Sequence, residues 1–408
     1  MKVDAGAVGR AVRWAGVGAA VLTGGLVLIS ALGGCGGANG PSSTGPSVSG
    51  PSVSGPSVSG PSVIGMDAVA AAVSAAERPV AWQLSSAPLI TVGTGERGRR
   101  VAVITRDING FIQSIKDGIS AAAGKAGMTT LTSSPAGSAA DVARQISQAI
   151  TQHASAVITV GFTTAEIAAP LQQAHSAGVP VVQLFVTDPG APPAGAGVFA
   201  YVSPCYSCIG ATMADIVIRD SGGGADAVFV NAPDVGIATL EADGFTAEMR
   251  RHCPRCTTTV ADAPIAQWGT QIPGIATAAA ADPKVSYIVP VFDTASPLIV
   301  PALAAANATG RVKLVSSNGD QAQLQDMKNA GSPRWVGDVG VNGAWIGWAS
   351  MDEVFRALTN HPALADEKIG FRAFTPTDID TLDLSQNPST WYGGTDFATR
   401  YLMLWGLS

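Results

Sequence analysis

The chain has 408 residues, 47% of them hydrophobic and only 13% charged, with a formal net charge of −6. That length and apolar content suit two cored domains rather than one. The acidic balance argues against nucleic-acid binding, which needs a basic face to meet phosphates.

Lys2, Arg10 and Arg13 precede an uncharged run, Trp14 to Gly34, rich in Ala, Val, Leu and Gly. Basic-then-apolar is the order of a secretory signal. The run is also about as long as a membrane-spanning helix, but six glycines between Gly16 and Gly34 weaken a long helix, and Leu32-Gly33-Gly34-Cys35 closes it. This ending resembles the bacterial lipoprotein signal, which implies removal of residues 1–34, acylation of Cys35, and an exported protein anchored to the bacterial cell membrane. Loss of Lys2, Asp4, Arg10 and Arg13 takes the remainder to a net charge of −8.

Residues 35–66 follow as an uncharged stretch in which Gly-Pro-Ser recurs five times, starting at Gly40, Gly45, Gly50, Gly55 and Gly60. Such a segment reads as a disordered tether that spans about 25–30 Å as a coil and up to ~80 Å when extended. Residues 67–97 read as an N-terminal arm, with a short helix over Ala68 to Ala76.

From Arg99 onward, short β-rich runs alternate with helical periodicity, the mark of βαβ units and a parallel sheet. Strands are predicted at Val101 to Thr105, Met128 to Leu131, Ala156 to Val160 and Val181 to Phe185. The helices between them show stripes such as Ile112, Ile115, Ile119, Ala122 and Ala126. The pattern restarts after Tyr201, with a helix from Tyr206 to Arg219 and strands at Ala227 to Asn231, Val285 to Val291 and Lys313 to Ser316. Further helices are predicted over 236–251, 270–281, 296–308, 321–330 and 343–358, and a last one over 396–404. The expected class is α/β: two doubly wound parallel-sheet lobes joined by a hinge. Residues 98–202, completed by 342–375, form lobe 1; residues 203–341 form lobe 2; residues 376–408 are a C-terminal extension. Open parallel sheets bind ligands at the carboxyl ends of their strands, so two such lobes define a cleft.

The stretch Asn109-Gly110-Phe111-Ile112-Gln113-Ser114-Ile115-Lys116-Asp117-Gly118, with Gly178-Val179-Pro180-Val181-Val182 and Glu241-Ala242-Asp243-Gly244-Phe245, resembles the type I periplasmic binding proteins. The similarity is to their sugar-binding branch, represented by ribose-binding protein, and covers residues 98 to 380. Trp391-Tyr392-Gly393-Gly394 and Leu404-Trp405-Gly406-Leu407 resemble extended lipoprotein members of that branch. The resemblance implies a monomeric, non-enzymatic protein without a cofactor that captures a small solute and delivers it to an ABC transporter permease. A ligand-sensing partner of a membrane receptor, built on the same fold, is the alternative.

The departures weaken a simple-sugar assignment. Phe185-Val186 stands where pentose binders carry an Asp-Arg pair. Thr239 aligns with a clamping arginine of the family, Phe292 with an asparagine, and Asn318 with an aspartate. Unpaired buried hydroxyls cost about 1–3 kcal/mol each, so a ligand with an apolar or flat face fits Phe111, Phe185, Phe292 and Trp345 better. Asn109, Asp234, Asp293, Asn318 and Asn342 are the candidates for polar orientation. Phe185 and Trp345 also read as core residues, and Asp293 as a helix cap in competition with Ser296.

Four further cysteines form two short pairs, Cys205 with Cys208 and Cys253 with Cys256. Two such pairs suit zinc in principle, but the pairs fall at opposite edges of the predicted lobe. Local disulfides in an oxidising exterior are the expectation, with reduced thiols or a redox-active pair as alternatives. No metal site is expected. Gly118 to Lys125 only superficially matches a phosphate loop, since Ala126 stands where Ser or Thr would bind magnesium. His153, His175, His252 and His361 are scattered, and no catalytic residues are assigned.

Overall fold

The computed structural model describes residues 62–407, apart from 85, 86, 107, 108 and 332. The expected signal peptide, Cys35 and the tether up to residue 61 lie outside the described residues. The arm opens with α1 (Ser62–Ala76), which begins inside the stretch expected to be tether. Val69 and Val73, one helical turn apart, are buried, and α1 packs on α5 (Tyr206–Ser221).

Lobe 1 runs β1 (Arg100–Thr105), α2 (Gly110–Lys125), β2 (Thr129–Thr132), α3 (Ala139–Thr151), β3 (Ala154–Val160), α4 (Ala168–Ser176), β4 (Val181–Leu184) and β5 (Val198–Val202). These strands form one parallel sheet in the order β2-β1-β3-β4-β5. The helices cover both faces, which is why β4 is Val-Val-Gln-Leu and wholly buried rather than alternating.

After α5, lobe 2 continues with β6 (Asp226–Asn231), α6 (Gly236–His252), β7 (Thr257–Asp262), α7 (Trp268–Ala281), β8 (Tyr287–Pro290), α8 (Ser296–Ala305), β9 (Lys313–Asn318), α9 (Gln321–Lys328) and β10 (Trp335–Val341). The chain then returns to lobe 1 as α10 (Gly343–Leu358), which packs on α2. It crosses back as β11 (Phe371–Phe374) and ends in α11 (Phe397–Leu404). The second sheet has the order β11-β10-β9-β8-β6-β7, parallel except for the antiparallel edge strand β11. The chain thus crosses between the lobes after Val202, Val341 and Leu358, and again beyond β11, since α11 packs on α10.

Two pairs of helices approach closely at glycine. A Cβ on Gly118 of α2 would sit 2.4 Å from the Ala344 carbonyl of α10, and one on Gly210 of α5 would sit 1.9 Å from the Glu241 carbonyl of α6. The same small-residue device thus locks the leading helix pair of each lobe.

Several expectations need correction. Strands β5, β7, β10 and β11 were not predicted. β7 has an exposed, polar pattern as an edge strand, and β10 carries Gly337 and Gly340 where strand propensity is poor. Residues 342–375 do not all complete lobe 1: α10 does, but β11 pairs with β10 in the second sheet. Residues 376–408, expected as a C-terminal extension, pack against both lobes. The Tyr392 hydroxyl donates to the Asn318 and Gly319 carbonyls of lobe 2 at 3.1 and 3.2 Å. Meanwhile α11 lies on α10, and the arm runs beside it through Ile90 N–H to the Leu404 carbonyl (2.9 Å) and Val92 N–H to the Trp405 carbonyl (3.0 Å).

Behind lobe 1 this packing buries an ionic knot. Arg356 Nε lies 2.6 Å from Asp352 Oδ2, Trp405 Nε1 donates to Asp352 Oδ1 at 2.6 Å, and the Tyr401 hydroxyl donates to Glu367 at 2.9 Å. Asp352, Glu353 and Glu367 bring oxygens within 4.8 Å of one another. Burial is the main reason that Glu353 is pushed up to about 7 and Glu367 well above its ordinary range. Neutral carboxyl groups there let one guanidinium balance the cluster.

Candidate functional site

The carboxyl ends of the strands of both lobes converge on a cleft pocket of about 290 Å³. From lobe 1 come Arg106 after β1, Asn109 and Phe111 at the start of α2, Val160 and Gly161 at the end of β3, and Phe185 after β4. Tyr206, the first residue of α5 after the crossing, joins them. Lobe 2 contributes Val235, Ile237, Ile265, Trp268, Phe292, Thr294 and Asn318, again from segments that follow strands. A Cβ on Gly236 would stand 3.4 Å from the Val186 carbonyl, so the lobes approach each other closely at one edge of the cleft. A neighbouring chamber of about 540 Å³ lies along α2 and the 387–392 segment and shares Phe111 and Asn318 with the cleft.

Local sequence explains much of this wall. Asn109 Oδ1 accepts from Ile112 N–H at 2.9 Å and so starts α2 with Phe111 at the cleft. Phe111 stacks with Phe185 at 6.1 Å between ring centroids, and Tyr206 meets Phe185 edge-on at 5.8 Å. On the facing lobe, the Trp268 Nε1–H is satisfied by the Ala263 carbonyl at 2.8 Å. Arg106 Nε donates to the Gly161 carbonyl at 2.6 Å, its Nη2 pairs with Glu166, and its guanidinium stands 4.6 Å over the Phe162 ring. Much of its charge is therefore spent on lobe 1 itself.

Two cleft residues hold unfavourable backbone. Phe185 has φ +66° and Asn318 has φ +112°. Left-handed conformation in residues other than glycine costs about 1–3 kcal/mol each, most clearly for a bulky aromatic. Behind the lobe 2 floor, Asp293 sits between Phe292 and Thr294. Its carboxylate accepts from Asp320 N–H at 2.7 Å and from Ser316 Oγ, while Asp338 accepts from Gly319 N–H at 3.0 Å. Burial, reinforced by the neighbouring Asp320 charge, pushes Asp293 up to about 8, and burial raises Asp338 well above the carboxylate range.

Of the residues expected to bind ligand, the structure brings Asn109, Phe111 and Phe185 of lobe 1 and Phe292 and Asn318 of lobe 2 to the lining of one pocket. The others fall outside it. Asp293 is fully buried beneath the floor and braces the two loops above. Asp234 accepts from Ile265 N–H at 3.1 Å and so holds a lining residue in place without lining the cleft. Thr239 is exposed on α6, two residues past the lining residue Ile237 and turned away from the cleft lining. Asn342 caps α10 by accepting from Trp345 N–H at 3.2 Å, and it borders only the neighbouring chamber. Trp345 is 1% exposed and stacked between Trp82 at 5.7 Å and Phe397 at 5.5 Å, because the arm and the C-terminal helix fill the space beside it.

Arg106, Tyr206, Trp268 and Thr294 went unrecognised in the sequence, though each follows a strand, and the strand-end rule could have flagged Arg106. Cys205 pairs with Cys208 and Cys253 with Cys256 in local disulfides, with Cα separations of 5.2 and 5.3 Å. The first pair opens α5 and the second follows α6.

Residues 101–361 match the periplasmic binding protein domain family, and the chain belongs to it. Solved structures with the same fold include a sugar ABC transporter protein from Yersinia enterocolitica subsp. enterocolitica 8081, 18% identical with a TM-score of 0.63 over 79% of this chain and 98% of that one. A solute binding protein from Agrobacterium vitis with bound allitol is 19% identical, with a TM-score of 0.61 over 70% and 98%. The 5-methylthioribose transporter solute binding protein from Thermotoga lettingae TMO, in complex with 5-methylthioribose, is 17% identical, with a TM-score of 0.61 over 76% and 94%. No curated protein matches the chain by sequence. Among the described residues no helix is long and apolar enough to cross a membrane.

Proposed function

We propose that the protein is the extracytoplasmic solute-binding component of an ABC transporter, held at the membrane by lipid on Cys35. A small ligand bridging the two walls stabilises the closed arrangement selectively, because only then does it touch both lobes. The permease then recognises the closed form. The observation that carries this reading is the convergence of strand ends from both lobes on one pocket. Bound allitol and 5-methylthioribose in proteins of the same fold support a ligand of that size.

The test is calorimetric titration of the full chain with sugars, polyols and their apolar derivatives. Binding should weaken at least about tenfold, or ~1.4 kcal/mol, in Phe111→Ala and in Asn109→Ala. Unchanged affinity in both variants counts against the site.

A further inference from the structure

Seven described residues other than glycine have positive φ, and five have ordinary local reasons. His153, Asn307, Ala330 and Asn360 each stand one residue past the cap of a helix, where left-handed backbone commonly ends the helix, and Lys368 sits in a tight local turn in which its N–H donates to Asp366 Oδ1 at 2.7 Å. Phe185 and Asn318 follow no helix. Phe185 comes directly after β4 and Asn318 ends β9, one in each lobe, and both line the same cleft. Phe185 is 4% exposed and Asn318 7%. The Asn318 side chain makes no hydrogen bond to another described residue, although its backbone carbonyl is held by Tyr392. Strain in both lobes thus presents an aromatic face and a carboxamide to one space.

The rest of the lining decides what fits there. Ten of the fifteen described lining residues are aromatic or aliphatic. A fully hydroxylated sugar brings several hydroxyl donors that need acceptors, and each left unpaired weakens binding. A flat apolar body instead meets Phe111 and Phe185 on one side and Trp268 and Phe292 on the other, while a carboxamide pairs with a polar edge.

We infer that the cleft is built for an amphipathic ring solute, such as an alkylated sugar or a nucleoside, whose polar edge is anchored by Asn318 and whose apolar body lies against Phe185. The inference rests on the solute-binding reading above and sets its ligand class.

The full chain is titrated with ribose and allitol as hydroxylated probes and with 5-methylthioribose and adenosine as amphipathic ones, with a thermal melt run alongside. At least one amphipathic probe should bind about tenfold or more tightly than either hydroxylated probe. Asn318→Gly relieves the backbone, so its unliganded melting temperature should hold or rise while affinity falls at least about tenfold; Phe185→Leu should also lose affinity. Tighter binding of ribose or allitol that is lost in Phe111→Ala overturns the ligand class but leaves the cleft reading intact. Binding by none of the probes, or binding indifferent to Phe111→Ala, overturns the cleft reading and this inference with it. Unchanged affinity in Asn318→Gly overturns the anchoring role.

Discussion

Aromatic side chains gather in two places in this molecule, and the two are built differently. Behind lobe 1, Trp82, Trp345, Trp348, Phe397, Tyr401 and Trp405 pack on one another, with the Trp348 and Trp405 rings stacked nearly parallel at 5.4 Å between centroids. The arm and the C-terminal helix fill that site, and Trp345, Tyr401 and Trp405 are each at most 1% exposed. Between the lobes, Phe111, Phe185, Tyr206, Trp268 and Phe292 surround space that no segment of the described chain fills, on backbone that is strained twice. The same residue types therefore serve stability in one place and an open pocket in the other. What separates them is whether the chain itself supplies the last layer of packing.

Truncation should expose that difference most sharply. Trp405→Ala removes the ring that packs on Phe355 and Trp348 and donates to Asp352, and it should destabilise the protein by about 3–5 kcal/mol. Urea unfolding followed by circular dichroism measures the loss, which should leave ligand affinity in the folded fraction within about twofold. A loss below ~1 kcal/mol would mean that the C-terminal helix does not hold lobe 1 together.

A smaller effect comes from pH. Glu353 is raised from 4.5 to about 7 and Asp293 from 3.8 to about 8, both first by burial. The folded state holds these protons where the unfolded chain has released them. Their stabilisation is accordingly full below about pH 4 and is lost as pH climbs through 7 to 8. Melting temperature should be several degrees higher at pH 5 than at pH 8.5. Glu353→Gln should flatten that slope for the knot behind lobe 1, and Asp293→Asn for the floor of the cleft. A melting temperature that rises steadily from pH 5 to 8.5 would contradict both assignments.

The smallest expected change is at Thr239. Expected from the sequence to bind ligand, it is exposed on α6 and lies outside the cleft lining. Thr239→Ala should shift stability by no more than about 0.5 kcal/mol and affinity by less than about twofold. A large loss of binding would show that the lobes close further than the present cleft suggests.

Much of the fold was legible because buried parallel strands and amphipathic helices leave strong periodic marks. The helix over Gly343–Leu358 was read to the residue, and the strand start at Val181 likewise. The strands β7 and β11 at the edges of the second sheet escaped because edge positions relax the apolar pattern, as in Thr257–Asp262. The site was half legible. Asn109 and Phe111 announce themselves by local motif, since the cap and the aromatic are two residues apart. Trp345 misled because its fate depends on Trp82 and Phe397, which are 263 and 52 positions away and carry no local mark. Trp268 was missed for the same reason: its role is set by the loop after an unrecognised strand.

The decisive measurement is a crystal structure of the protein with whichever probe binds. Ligand density is expected between Phe111 and Phe185 of one lobe and Trp268 and Phe292 of the other, with a polar atom within hydrogen-bond reach of Asn318. Density seated elsewhere, with those four rings packed against one another instead, would contradict this expectation.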